Sequence, residues 1–325
     1  MSKEQEIFKI IEKFINQKVI AGASIAFVFK DDIKYHYLGQ QGNIAPFNEI
    51  DITKEMFYDL ASLTKVVATT TRIMQLIEGN KLKLDTKVSQ IIAEFKFEDI
   101  TIEQLLLHQG GFNPGLDNNE GLNKANVIAR INQQIINVGN PTIYSDLGFI
   151  ILGLIIEKID NCDLETTFRL NIFEKLNMKQ TSFLKKFAKE LYLPTEVTEK
   201  RGIIQGQTHD PKSFMLKQSG SAGLFASIED LAKFVTSFLF DNKVLNNTSK
   251  ELLVNTNVNG RSYGWQVIEK SGSLFHTGFT GTSIAIDFHN KSAYIILTNR
   301  NFPNREENFK ELQKEIAGNY FKSEE

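Results

Sequence analysis

Strand-like segments stand at both ends of this sequence, with a long helical segment between them. Near the N-terminus, residues 22–29 and 33–38 have a strand-like composition and flank a turn-prone stretch, which predicts a β-hairpin. Strand patterns return near the C-terminus, at residues 263–268, 282–288 and 293–298. A hairpin alone is barely stable in water, so we expect the strands from both ends to pair in one sheet.

Helical periodicity dominates the middle of the chain, from about residue 62 to residue 200. One predicted helix face carries Val66, Thr70, Ile73, Met74 and Ile77. Further helical segments are predicted to begin near Thr101, Asn123, Leu147 and Leu164. Helices are also predicted at the N-terminus, at residues 228–239 and at residues 306–317.

These patterns predict an α/β fold with an all-α part, in which helices flank an antiparallel sheet. The sheet lobe is predicted to be discontinuous, comprising residues 1–61 and 220–325. A mainly helical lobe of residues 62–219 is predicted to be inserted into it. We expect an active-site cleft between the two lobes.

Charge and cysteine content exclude several classes of protein. The 37 lysines and arginines nearly balance 39 aspartates and glutamates, which gives no reason to expect a nucleic-acid or acidic-membrane partner. The single cysteine, Cys162, excludes an intramolecular disulfide and a multi-cysteine metal site. The longest apolar run, residues 147–156, is short of the roughly 20 residues that span a bilayer, so no membrane anchor is expected. The amphipathic N-terminus does not resemble a signal peptide, which predicts a cytoplasmic protein unless a leader has been removed.

Motifs of several common sites are missing from the sequence. It contains no GxxxxGK, GxGxxG, HExxH or GxSxG motif, and its five histidines are scattered. We therefore expect no metal and no cofactor, and a small molecule as the binding partner. The oligomeric state stays open.

An SxxK tetrapeptide at residues 62–65 is the first candidate for chemistry. Ser62 stands at the N-terminus of a predicted helix, where residues i and i+3 share a face, so the Lys65 amine is predicted to lie beside the Ser62 hydroxyl. A serine becomes a good nucleophile only with such a partner. A second SxxK at residues 182–185 lies in a loop-like stretch and shows that chance supplies the motif. Taken alone, Ser62 could equally be a helix N-cap.

Two further segments follow in order along the chain. Residues 144–146 (YSD) precede the apolar helix that begins at Leu147, and residues 276–278 (HTG) open a glycine-rich segment among the C-terminal strands. With the SxxK, they resemble the SxxK, YxN and KTG elements of the serine β-lactamase and penicillin-binding-protein superfamily. The chain is most similar to its class C-like branch, with the D-alanyl-D-alanine carboxypeptidases and related serine esterases of family VIII type.

The resemblance implies a β-lactamase/transpeptidase-like fold and a role for each motif residue. Ser62 is implied to be the acylated nucleophile, and Lys65 to accept its proton, which requires a lowered lysine pKa. Tyr144 is implied to carry a proton to the leaving group, and His276 to orient the network and meet a substrate carboxylate. The oxyanion hole is implied to be the backbone N–H groups of Ser62 and Phe279. The substrate-binding residues are implied to be Asp146, Thr277, Gly278 and Phe279.

Two departures from the family pattern bear on the substrate. Asp146 replaces asparagine, so an amide that can donate to a substrate carbonyl becomes a carboxylate. His276 replaces lysine, so a permanent positive charge becomes dependent on pH. The resemblance thus predicts a serine hydrolase acting on β-lactam, D-alanyl-D-alanine-like or small ester substrates. A carboxylesterase with no cell-wall role and a non-catalytic penicillin-binding or sensor module are the alternatives.

Overall fold

The computed structural model describes residues 3–30, 32–139, 141–268, 273–305 and 308–320. The helices are α1 (Lys3–Asn16), α2 (Thr71–Glu78), α3 (Val88–Ile91), α4 (Ile102–Leu106), α5 (Val127–Ile131), α6 (Asp146–Asp160), α7 (Leu164–Phe168), α8 (Pro211–Leu216), α9 (Ile228–Phe240), α10 (Asn247–Asn255) and α11 (Phe309–Tyr320). The strands are β1 (Gly22–Val28), β2 (Ile33–Gly39), β3 (Tyr58–Asp59), β4 (Pro194–Thr198), β5 (Gly202–Gln205), β6 (Phe225–Ala226), β7 (Gln266–Ile268), β8 (Ser273–Thr277), β9 (Ser283–Asp287) and β10 (Ser292–Leu297).

The strands from the two ends of the chain pair in one six-stranded sheet, as predicted. Its order is β2-β1-β10-β9-β8-β7, and every neighbouring pair is antiparallel. The two ends meet where β1 pairs with β10, with Ile25 opposite Ile296. This pairing joins the predicted N-terminal hairpin to the C-terminal strands.

Helices cover both faces of the sheet, which explains why every residue of β1 is buried. Ile25 and Phe27 point to one face, where they pack in a cluster with residues of α1 and α11. Ala26 and Val28 point to the other face and join the large core that also contains α9 and the inserted helices. Successive strand residues alternate between faces, so an apolar run without polar alternation is what a doubly covered strand requires.

The middle of the chain is mostly helical, but it contains a feature that the sequence did not indicate. Strands β4 and β5 form a two-stranded hairpin within residues 62–219. Helix α10 was also not predicted. The last helix runs from Phe309 to Tyr320, whereas the prediction began at Glu306, which lies outside the described residues. Within the described ranges, no helix combines the length and apolar character needed to cross a membrane.

Candidate active site

Ser62 lies at a sharp turn between β3 and a helical segment that begins at Leu63. The preceding residue, Ala61, has a φ of 44°, a left-handed conformation that costs a non-glycine residue about 1–2 kcal/mol. The carboxylate of Asp59 holds this turn, because its Oδ1 accepts a hydrogen bond from the Ala61 N–H at 2.8 Å. The backbone from Lys65 to Thr70 then has π-helical geometry before it continues as α2. Widened turns of this kind are frequent at functional sites.

The SxxK spacing brings the two side chains together as the sequence predicted. Lys65 Nζ donates to Ser62 Oγ at 2.9 Å, to Asp146 Oδ1 at 2.7 Å and to the carbonyl oxygen of Ser221 at 2.8 Å. All three ammonium donors therefore have partners, and the lysine side chain is 0% exposed. Lys65 is thus held by Ser62 on its own segment, by Asp146 at the start of α6 and by the glycine-rich segment before β6.

The charge state of Lys65 is opposite to the one expected from the sequence. Burial favours the neutral amine, but the carboxylate of Asp146 and the phenol of Tyr144 outweigh it, so the pKa of Lys65 is raised. Lys65 is thus an ammonium ion at neutral pH. The expectation of a lowered pKa was wrong because it left out the aspartate that stands where the family has asparagine.

Asp146 begins α6 and connects Lys65 to a second cation. Its Oδ2 lies 3.1 Å from Nζ of Lys212, and that ammonium also lies 2.9 Å from Oδ2 of Asp210. Burial opposes ionisation of Asp146, but Lys65 and Lys212 together lower its pKa to about 2. Both oxygens of Asp146 therefore contact cations. Beginning next to Ser62, four charged side chains form a row of alternating sign: Lys65, Asp146, Lys212 and Asp210.

Tyr144 lies between two cations and an imidazole ring. Nζ of Lys65 is 5.2 Å from its ring centroid, and Cζ of Arg261 is 5.3 Å from the same point. The His108 ring contacts it with a centroid distance of 4.4 Å, and the His276 ring is 6.2 Å away. The Tyr144 ring is thus brought to the Ser62–Lys65 pair, with positive charge facing it from both Lys65 and Arg261.

His108 fixes the backbone on both sides of Tyr144. Its carbonyl oxygen accepts from the Ile143 N–H at 2.9 Å, and its Nδ1 accepts from the Ser145 N–H at 3.2 Å. Burial, followed by the charges of Lys65 and Arg261, lowers the pKa of His108 to about 3. His108 therefore has a structural role, since it holds the backbone on either side of Tyr144.

His276 is buried beside the site and is uncharged. It is 3% exposed, and burial together with the charges of Lys65 and Arg261 lowers its pKa well below the ordinary value. Nδ1 lies 3.0 Å from the Thr277 carbonyl oxygen, which can only accept, so the proton sits on Nδ1 and Nε2 carries a lone pair. Neutral His276 offers no positive charge to a substrate carboxylate.

The HTG segment lies against the chain just before Ser62. A Cβ on Gly278 would stand 2.5 Å from the Leu60 carbonyl oxygen and 2.1 Å from Thr282 Oγ1, so only glycine permits this approach. The Thr280 hydroxyl anchors the segment further by donating to the Asp59 carbonyl oxygen at 2.7 Å. These contacts bring Thr277, Gly278 and Phe279 from the end of β8 to the segment that carries Ser62.

Phe279 is 43% exposed and has its ring and carbonyl group held in place. The His209 ring stacks on it at a centroid distance of 5.3 Å, and Arg300 Nε donates to its carbonyl oxygen at 2.8 Å. Within the described part of the chain, the backbone N–H groups of Ser62 and Phe279 donate to no protein acceptor. Both N–H groups can therefore donate to a bound oxyanion.

The second SxxK is unrelated to this site. Ser182 is 3% exposed, its backbone pairs with Phe225, and its Oγ donates to the Leu184 carbonyl oxygen at 2.6 Å.

Two further features of the chain have no part in the site. Trp265 is buried in the large core. Among the described residues, no three histidine, cysteine, aspartate or glutamate side chains are grouped so as to hold a metal ion.

Comparison with known proteins identifies the family. The family model described as Beta-lactamase matches residues 7–318. The chain belongs to the beta-lactamase family. A curated relative, a putative D-alanyl-D-alanine carboxypeptidase of Salmonella typhi, is 29% identical over 306 residues, which cover 77% of this chain and 71% of the relative.

Solved structures of beta-lactamase fold show the same architecture at low sequence identity. EstCE1, a hydrolase with promiscuous acyltransferase activity, superposes with a TM-score of 0.80 at 16% identity, covering 98% of each chain. A class C beta-lactamase from Rhodobacter sphaeroides gives a TM-score of 0.79 at 14% identity, covering 98% of this chain and all of that one. The predicted fold class and the prediction of a serine hydrolase of the beta-lactamase family are confirmed.

Two cations at the site of this beta-lactamase family member were not predicted. Lys212 follows Asp210 at the start of α8, and Arg261 precedes β7. Burial lowers the pKa of Arg261, and the Tyr144 phenol opposes this shift. Within the described ranges, the Arg261 guanidinium forms no salt bridge and faces the Tyr144 ring. Neither cation has a local signal in the sequence, because both lie far along the chain from Asp146 and Tyr144.

Proposed function

We propose that this protein hydrolyses small acyl compounds through an acyl-enzyme on Ser62. The observation that carries the proposal is the 2.9 Å contact between Lys65 Nζ and Ser62 Oγ. It is joined by the backbone N–H groups of Ser62 and Phe279, which donate to no acceptor within the described ranges. Ser62 Oγ attacks the carbonyl carbon, and the two N–H groups stabilise the negative charge on the carbonyl oxygen. Water then cleaves the acyl-enzyme and regenerates Ser62.

Tyr144 is assigned the proton transfer, because Lys65 is already protonated. As Ser62 attacks, its proton passes to the Tyr144 oxygen, and the tyrosine proton passes to the leaving group. Lys65 and Arg261 face the ring and stabilise negative charge that develops on this oxygen. His276 presents a neutral hydrogen-bond acceptor at Nε2, which has no partner among the described residues.

Arg261 supports a substrate whose leaving group carries a carboxylate. It is a permanent cation without a salt bridge in the described part of the chain, and it lies beside the tyrosine that serves the leaving group. A guanidinium matches a carboxylate with two parallel hydrogen bonds. A D-alanyl-D-alanine-like peptide has this carboxylate, as do β-lactams, whereas a simple alkyl ester lacks it. The name of the Salmonella relative points to the same class.

A substrate panel tests this proposal. We expect diacetyl-lysyl-D-alanyl-D-alanine to be hydrolysed faster than the same peptide with a C-terminal amide. If the protein hydrolyses nitrophenyl acetate but neither of the peptides nor nitrocefin, the result would instead indicate a carboxylesterase. Stable labelling by fluorescent penicillin without any turnover would indicate a binding or sensor module.

Replacing Arg261 with methionine is predicted to remove the preference for the free acid. The free-acid peptide loses about 10- to 100-fold in kcat/KM, as expected for lost hydrogen bonds to a charged group, while the C-terminal amide loses less. Arg261→Lys is the matched control, because it keeps the charge and should retain part of the preference. An equal decrease for both peptides would contradict carboxylate recognition by Arg261.

A further inference from the structure

Lys212 brings a second ammonium group to the aspartate that holds Lys65. Its Nζ lies 3.1 Å from Asp146 Oδ2 and 2.9 Å from Asp210 Oδ2. Burial opposes its charge, but Asp210 and Asp146 raise its pKa. Lys212 is therefore a cation at neutral pH, and Asp146 lies between it and Lys65.

The Lys212 ammonium also has a donor to spare. An ammonium has three N–H donors, and the two carboxylates account for two of them. Its side chain is 12% exposed, in contrast to the fully covered Lys65. The Lys212 side chain passes beside Gly115, where a Cβ would stand 3.8 Å from Nζ. The third N–H group of the Lys212 ammonium can therefore donate to a molecule bound beside Gly115 and the start of α6.

Asp146 itself cannot supply the hydrogen bond that the family asparagine gives to a substrate carbonyl. A carboxylate only accepts, and both of its oxygens are already engaged, Oδ1 by Lys65 and Oδ2 by Lys212. The Lys212 ammonium is the donor next to this position. Aspartate at this position thus lacks the N–H donor of asparagine, and Lys212 of α8 supplies a donor next to it.

We propose that Lys212 is a substrate-binding residue that donates a hydrogen bond to a neutral carbonyl group on the acyl part of the substrate. This proposal rests on the proposed function and specifies the acyl side of the same cleft. An N-acylamino acyl group carries such a carbonyl. A linear alkanoyl group of equal length does not.

The local charge explains why the acceptor is neutral. Lys65, Asp146, Lys212 and Asp210 sum to zero charge, and two carboxylates lie within 3.1 Å of the Lys212 ammonium. A substrate carboxylate at this point would be repelled by both aspartates. The cleft therefore favours a neutral acceptor beside Lys212 and an anionic group beside Arg261.

Two esters of matched length test the role of Lys212. We compare the nitrophenyl esters of N-acetylglycine and pentanoic acid, subtracting spontaneous hydrolysis, in wild type, Lys212→Met and Lys212→Gln. Lys212→Met is expected to lower the ratio of kcat/KM for the two esters by about 10- to 100-fold. Lys212→Gln has lost the charge but keeps an N–H donor, so it should retain most of the ratio while both rates fall.

The possible outcomes separate this proposal from the proposed function. If Lys212→Met and Lys212→Gln lower both rates equally and leave the ratio unchanged, Lys212 only neutralises Asp146 and the proposal is overturned. If wild type hydrolyses neither ester in a Ser62-dependent way, the proposed function fails and this inference fails with it. Stoichiometric labelling by a serine-reactive phosphonate verifies that each variant is folded. If Lys212→Met is not folded, Lys212→Ala replaces it, because alanine also lacks a side-chain donor and should lower the ratio in the same way.

Discussion

Replacing Ser62 with alanine is expected to reduce hydrolysis of every accepted substrate by about 10⁴- to 10⁶-fold, the range seen when an activated serine nucleophile is removed. The hydroxyl that receives the Lys65 hydrogen bond at 2.9 Å is lost, while the backbone N–H of residue 62 stays in place. The residual rate reflects binding and oxyanion stabilisation alone. Initial rates with nitrophenyl acetate and labelling with fluorescent penicillin and a serine-reactive phosphonate provide the measurement.

The chain supplies its own matched control in the second SxxK motif. Ser182 is buried away from the cleft and bonds to the Leu184 carbonyl oxygen, so Ser182→Ala should keep both labelling and turnover. Labelling that persists in Ser62→Ala and disappears in Ser182→Ala would assign the nucleophile to the other motif. Labelling that persists in both would place it outside the two motifs.

The contact between Ser62 and Lys65 could be predicted because it is local. Residues three apart on a helix share a face, so the tetrapeptide and the helical pattern after it were sufficient. The sheet could be predicted for a different reason. Strand patterns occurred at both ends of the chain, and the two-stranded hairpin at the N-terminus needed further partners. The pairing of β1 with β10 provides them.

The charges around Asp146 could not be predicted, because they come from distant parts of the chain. Lys212 lies 66 positions after Asp146, and nothing in its neighbourhood marks it as a partner. Arg261 reaches Tyr144 from the segment before β7, again without a local signal. The pKa of Lys65 depends on these contacts, so its direction could not be obtained from the motif alone.

The hairpin of β4 and β5 was missed for a reason of pattern. Its strands are four and five residues long and carry no sustained alternation of polar and apolar residues. Strand β5 begins at Gly202, which has a positive φ of 62° and follows a turn rich in charged residues. Short strands of this type depend on tertiary contacts, as in the bridge from Phe57 to Tyr192 next to β4.

Replacing Lys65 with methionine is expected to lower the rate of Ser62 acylation by several orders of magnitude. The ammonium holds Ser62 Oγ and faces the Tyr144 ring, so its loss removes both the positioning of the nucleophile and the charge that stabilises proton transfer. Burst-phase kinetics with a nitrophenyl ester measure acylation directly. Because the pKa of Lys65 is raised above its ordinary value of about 10.5, Lys65 stays an ammonium ion throughout the acidic and neutral range. Titration of Lys65 should therefore cause no loss of wild-type activity at low pH.

The same substitution also leaves Asp146 with one cation instead of two. Removing one partner of a buried ion pair costs roughly 3–5 kcal/mol, and Lys212 should keep the loss of stability below that range. The double variant Lys65→Met with Asp146→Asn separates stability from chemistry, because it removes the unpaired charge without restoring the ammonium. We expect it to recover thermal stability but not acylation. Recovery of acylation in the double variant would mean that Lys65 serves only to neutralise Asp146, and that Ser62 is activated without it.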